Sequence, residues 1–141
     1  MGARSKARKR AVDVLYEAEA REVDPVTLIS ERVGSTEVAP VNDYTITLVE
    51  GVRDNAPRID QLISEHAEGW NLNRMPAVDR AILRIGLYEL LWAADVPDAV
   101  AIDEAIELAK TLSTDDSPRF VNGVLGRIAG IAGHLRASLN G

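Results

Sequence analysis

Apolar residues recur at the three- and four-residue spacing of an α-helix through nearly the whole chain, and no period-two alternation bounded by hairpin turns interrupts them. The pattern predicts an all-α protein. A first helix is expected over about residues 4–22, with Ala7, Ala11, Val14, Leu15 and Ala18 on one face and an end before Asp24-Pro25. Asp24 as N-cap and Pro25 as first helical residue begin a second helix that reaches about Val33. The polar stretch 34–41 reads as a loop. Asn42 or Asp43 then starts a third helix carrying Tyr44, Leu48, Val49 and Val52, and Asn55 caps a fourth. In the fourth, Ile59, Leu62, Ile63 and His66 share a stripe, and Gly69 stands where a left-handed C-terminal residue is expected.

Pro76 opens a fifth helix with so little polar surface between Val78 and Trp92 that it must be central and buried. Asp95-Val96-Pro97 ends it. A sixth helix turns Ile102, Ala105, Ile106, Ala109 and Leu112 inward, and Ser117-Pro118 starts a seventh that runs towards Leu139 with Val121, Val124, Ile128, Ile131 and Leu135 as its core stripe. Seven helices with short connections predict a compact bundle, and no linker or low-complexity tract divides the chain, so residues 1–141 are expected to form one domain.

Composition narrows the function classes. The absence of cysteine excludes disulfides, thiolate nucleophiles and cysteine-ligated zinc. Asp13, Glu17 and Glu19 interrupt what would be the apolar region of a signal peptide, and Arg84, Glu89 and Asp95 break the most apolar stretch well short of the roughly 18 residues a membrane span needs. A cytoplasmic protein with no membrane partner is expected. Catalysis finds little support, because His66 and His134 belong to no nucleophile constellation and His66 lies on an apolar stripe. No Glu-x-x-His pair, phosphate-binding loop or dinucleotide fingerprint occurs. Asp103, Glu104 and Glu107, with Lys110 nearby, read as a solvated helix face. The expectation is a protein that is not an enzyme and uses no cofactor or metal.

Charge is uneven. The formal net charge is -6, yet Arg4, Lys6, Arg8, Lys9 and Arg10 fall within one acid-free run, which leaves 11 of the 16 Lys and Arg against 22 acids elsewhere. The run is either a solvated tail or an electrostatic foothold for RNA or DNA. On a helical wheel Lys6, Lys9 and Arg10 point away from the apolar face and Arg4 and Arg8 flank it, so most of the cluster is expected to be free for phosphates. Tyr16 follows two turns after Lys9 on nearly the same side. Charge for the backbone with a ring for stacking suits a single-stranded nucleic acid, while an edge-of-core tyrosine is the plainer alternative. Phe120, beside Arg119, is either a core plug or an exposed binding ring. Gly123, Gly126, Gly130 and Gly133 align along the seventh helix, and since each costs about 1 kcal/mol against alanine they require either close approach by another backbone or a frayed helix.

Three stretches resemble the NusB family: the basic RSKARKRAVDVLYEAE, the central VDRAILRIGLYELL, and VPDAVAIDEAIELAK continuing through STDDSPRFVNGVLG. The last is the most specific, and residues about 20–45 match least. The resemblance implies an all-α fold of two packed helical subdomains and a non-catalytic transcription antitermination factor. It implies binding of single-stranded boxA-type RNA in ribosomal RNA leader transcripts, together with the ribosomal protein NusE, within an antitermination complex of RNA polymerase. By the same resemblance the family's arginine-rich terminus falls on Arg4, Lys6 and Arg8, with Ser5 in place of a frequent arginine. Arg119 and Phe120 fall at the RNA or partner edge, Asp116 on an acidic turn position, and Asp79 on a position that docks the ribosomal protein. Asp103 stands where the family commonly has asparagine. A monomer and a homodimer are both assemblies the family shows. Two other roles fit such a fold: a protein-binding helical adaptor, and the NusB-like domain of a ribosomal RNA cytosine methyltransferase.

Overall fold

Residues that favour caps and fixed φ punctuate the described residues into eight helices. The structure, a computed structural model, describes residues 2–33 and 41–140, so most of the expected loop at 34–41 lies outside the described residues. The helices are α1 (Ala3–Arg21), α2 (Pro25–Val33), α3 (Asp43–Asp54), α4 (Ala56–His66), α5 (Ala77–Trp92), α6 (Asp98–Leu112), α7 (Ser117–Ala129) and α8 (Ala132–Asn140), and the described residues contain no strand. Asp24 Oδ1 accepts the Val26 amide at 3.0 Å and Asn42 Oδ1 accepts the Tyr44 amide at 2.7 Å, each satisfying a donor that the first helical turn leaves free. Asn55 stands at the α4 N-cap position as expected, but its side chain accepts no helical amide there: its Nδ2 donates to the Gly51 carbonyl at 2.8 Å and closes α3. Gly69 does adopt φ +74°, but in the turn beyond the α4 C-cap, which is Ala67.

The expected seventh helix is two. Beyond Ala129 the Ile131 amide bonds to Ile128, three residues back, at 3.1 Å, and this tighter turn rotates α8 relative to α7. Ile131 is thereby 43% exposed and Ala132 enters the core in its place, while Leu135 is buried as expected. Gly130 sits at the break. Gly126 and Gly133 face open space, so the aligned glycines do not receive another backbone, and a broken helix is what they permit.

α5 is central, as its composition demands. It packs against α1, α3, α4, α6, α7 and α8, and Ala81, Ile82, Leu83, Ile85, Leu87, Leu90 and Leu91 are all buried. Two groups of helices share it: α1, α2 and α3 pack on one another, as do α6 and α7. Ion pairs tie α4 and α1 to α5, with Arg84 bonding Asp60 on α4 at 2.9 Å and Glu19 on α1 at 2.7 Å. The approach of α3 to α5 requires glycine at position 51, where an added Cβ would lie 2.1 Å from Tyr88 Cε1 and 2.3 Å from Cζ. Tyr88 in turn is stacked on Trp92, with centroids 6.2 Å apart. Gly51→Ala is expected to destabilise by about 1–3 kcal/mol through overpacking, despite alanine's better helix propensity. A urea midpoint unchanged from the parent would contradict that close contact.

Candidate nucleic-acid interface

The basic face of α1 divides into cations that are committed to the protein and cations that are not. Arg8 lies one turn after Arg4 on the flank of the apolar stripe, and packing carries it inward to 3% exposure. Its Nε donates to both Glu89 oxygens at 2.8 and 3.1 Å, its Nη2 donates to Glu89 Oε2 at 2.9 Å, and Nη1 lies 3.3 Å from Glu104 Oε1. Burial works against the charge on Arg8, but Glu89 outweighs it, and the guanidinium is held above its ordinary pKa. The Tyr44 hydroxyl also donates to Glu89. Burial and that carboxylate raise the phenol well above its usual range. The expectation that Arg8 is available to phosphates is therefore corrected: an acid on α5 has claimed it.

Arg4 stays outside. Its Nη2 donates to Asp95 at 2.8 Å in a pair whose side chains are 50% and 66% exposed, and its Cζ sits 4.3 Å from the centroid of the Tyr44 ring. The hydrogen bond from Arg4 holds the Asp95 carboxyl below the usual carboxylate range. Lys6 and Lys9 are exposed and form no ion pair among the described residues. Arg10 differs from the wheel, being half-buried with Nε and Nη2 enclosed and without a hydrogen-bond partner among the described residues. Tyr16 is 45% exposed on the same helix. Open cations with a ring further along the helix are thus Arg4, Lys6, Lys9 and Tyr16.

A second cluster forms where the α4–α5 connection meets the α6–α7 turn. Trp70 and Phe120 pair with centroids 5.8 Å apart and planes tilted by 57°, at a cavity of about 540 Å³ that Arg119 and Asp116 also line. Trp70 is 50% exposed and Phe120 half-buried, so Phe120 is both packed and accessible. Asp79 is not itself presented at the surface: it is 3% exposed and accepts the hydroxyls of Ser113 at 2.6 Å and Ser117 at 2.9 Å. Its carboxylate fixes the turn from which Asp116, Arg119 and Phe120 project. Helical spacing does not single out Trp70, although a large ring in the polar, turn-forming Glu68-Gly69-Trp70-Asn71 has no core face to join. His66 behaves as a packing residue, its Nδ1 bonding the Leu62 carbonyl at 2.8 Å. Asp103 and Glu107 are exposed and Glu107 pairs with Lys110 at 3.3 Å, as on a solvated face, but Glu104 departs from it, half-buried against α1 where it accepts the Ser5 hydroxyl at 2.6 Å.

The chain matches the NusB family over residues 5–130. It belongs to that family. The transcription antitermination protein NusB of Saccharopolyspora erythraea is 73% identical over 142 aligned residues, which span 100% of this chain and 96% of that protein. The protein of the same name from Streptomyces avermitilis is 52% identical, over 96% of this chain and 97% of its own. Among solved structures, T. maritima NusB superimposes with a TM-score of 0.80 at 37% identity over 92% of each chain. Antitermination factors NusB and NusE in complex with dsRNA provide another match, with a TM-score of 0.78 at 28% identity over 90% of this chain and 96% of that one. The eight helices of the described residues carry both the basic edge of α1 and the aromatic cluster. No helix among the described residues is long and apolar enough to cross a membrane.

Proposed function

We propose that this NusB-family chain is a non-catalytic transcription antitermination factor, acting in the cytoplasm as one RNA-binding domain. It binds single-stranded boxA-type RNA of ribosomal RNA leader transcripts together with the NusE-type ribosomal protein, and joins the RNA polymerase antitermination complex. The observation that carries the reading is the superposition on a NusB that is held with NusE and an RNA duplex. The exposed basic edge of α1 and the aromatic cavity at the α6–α7 turn supply the chemistry for RNA. None of the relatives named for comparison is a methyltransferase.

In this reading Arg4, Lys6 and Lys9 meet phosphates, Arg10 flanks them, and Arg8 positions the helix instead of touching RNA. Tyr16, Phe120 and Trp70 offer faces on which bases stack, and Arg119 adds a cation beside Phe120. Asp116, exposed at the start of α7, faces the basic partner, while Asp79 acts through the turn it holds. A chain at -6 with a single basic edge binds RNA weakly alone, and a basic partner neutralises the acidic surface and extends the phosphate track.

Replacing Phe120 or Trp70 with alanine tests the stacking assignment. Each lost stack is expected to weaken single-stranded RNA binding by about 1–3 kcal/mol, roughly 5- to 150-fold, as read by fluorescence anisotropy of labelled RNA. Trp70 supplies a second readout, since RNA stacked on the exposed indole quenches its emission in a Trp92→Phe background. Parental affinity in both alanine variants, with no quenching of Trp70, would remove this cavity from the RNA path.

A further inference from the structure

We propose that Asp95 is an internal competitor for RNA phosphate, occupying Arg4 until RNA displaces it and so setting the affinity of the α1 edge for the RNA backbone. The inference rests on the RNA-binding function proposed for this chain and assigns a role to a residue outside both clusters.

Among the described residues, Arg4 alone of the five clustered cations meets an exposed carboxylate from another element. Lys6 and Lys9 have no ion pair among the described residues, and the Arg8 pair is closed to solvent. The Arg4 contact lies at 2.8 Å, a spacing at which a phosphate oxygen also accepts from a guanidinium. Both side chains are at least half exposed, so a phosphate can approach as Asp95 leaves.

Neither group reaches the other by chance of a loose loop. Asp95 sits on the α5–α6 turn, which is pinned by burial of Val96 and by the Val96 amide bonding the Ala93 carbonyl at 3.0 Å. Arg4 is supported from below by the Tyr44 ring, and that ring is fixed because its hydroxyl donates to buried Glu89. The guanidinium therefore keeps its place over the ring once Asp95 departs, and presents its donors to RNA without reordering. An exposed pair of this kind is weak enough to be displaced. It acts as a brake on phosphate binding, and the nearby carboxylate adds repulsion towards any phosphate within about a Debye length, roughly 10 Å at 0.1 M salt.

The test is a cycle of Asp95→Asn, Arg4→Gln and the double variant, with labelled single-stranded boxA-type RNA and a scrambled RNA of equal length, in about 0.1 M salt. Glu65→Gln on α4 controls for the loss of one negative charge. Asp95→Asn is expected to tighten binding about 2- to 10-fold, equally for both RNAs because phosphate contacts carry no sequence information. Glu65→Gln is expected to stay near parental, and the gain from Asp95→Asn is expected to shrink to the Glu65→Gln level in the Arg4→Gln background. Two results overturn the inference while leaving RNA binding in place: no gain from Asp95→Asn when Arg4→Gln weakens binding, or the same gain whether or not Arg4 is present. Failure of the parental protein to bind either RNA, with or without the NusE-type partner, overturns the RNA-binding function itself and this inference with it.

Discussion

Glu89→Ala is expected to cost about 3–5 kcal/mol of folding stability, a large part of the 5–15 kcal/mol that a domain of this size commonly has. The magnitude comes from the charge left behind rather than from the group removed. Arg8 is 3% exposed and makes three of its hydrogen bonds to Glu89, so truncation strands a guanidinium inside the protein with Glu104, partly exposed, as its remaining anion. The Tyr44 hydroxyl loses its acceptor in the same step. Urea unfolding reads the effect as a lower midpoint at unchanged slope. Replacing both charges, as in Arg8→Met with Glu89→Leu, is expected to recover most of the loss, because desolvation of the pair offsets much of its attraction. A drop below about 1 kcal/mol in Glu89→Ala would mean that Arg8 is solvated and that its exclusion from the proposed phosphate contacts needs revision.

The second large effect concerns RNA. Replacing Arg4, Lys6 and Lys9 together by glutamine removes three phosphate contacts in the proposed interface. The slope of log affinity against log salt is then expected to become shallower by about 2, taking roughly 0.7 for each contact with a single strand, and affinity in 0.1 M salt to fall about a hundredfold. Arg8→Gln provides the contrast. It is expected to lower stability while leaving the salt slope in the folded protein near the parental value, since its guanidinium is spent on Glu89 and Glu104. Equal slopes for the triple variant and the parent would show that RNA lies elsewhere, and a shallower slope for Arg8→Gln would show that buried Arg8 opens towards RNA.

The boundaries that depend on one or two adjacent residues are legible in the sequence alone. Pro25, Asn42 and Pro76 act on their own backbone and immediate neighbours, and the helices begin where those residues place them. The scarcity of polar surface between Val78 and Trp92 likewise announces a central helix before any partner is known. The break at Gly130-Ile131 is not legible there, because a single tightened turn leaves the apolar spacing intact on paper while rotating α8 enough to expel Ile131.

The site divides along the same line. That the N-terminus carries a basic face is a local property, visible in the spacing of Lys6 and Lys9. Which cations remain free is non-local: Arg8 is decided by Glu89, 81 residues away, and Arg4 by Asp95, 91 residues away. One signal does exist, since an acid at position 89 inside an otherwise apolar helix needs a buried cation to accompany it. Similarly, the sequence resemblance offers Asp79 as a partner-docking acid, and only the fold shows Ser113 and Ser117 closing over it. Trp70 joins Phe120 through a loop with no periodicity, where spacing arguments have nothing to act on.

The central claim is that this chain recognises boxA-type RNA jointly with a basic ribosomal protein. Its most direct test is fluorescence anisotropy of a short labelled boxA-type RNA against a scrambled one, titrated with the protein alone, with the NusE-type partner alone and with both, across several salt concentrations. The account predicts preference for boxA-type RNA and an affinity in the mixture above that of either protein, with a steeper salt dependence as the partner adds phosphate contacts. Equal affinity for both RNAs in every combination, or no gain on adding the partner, would contradict it.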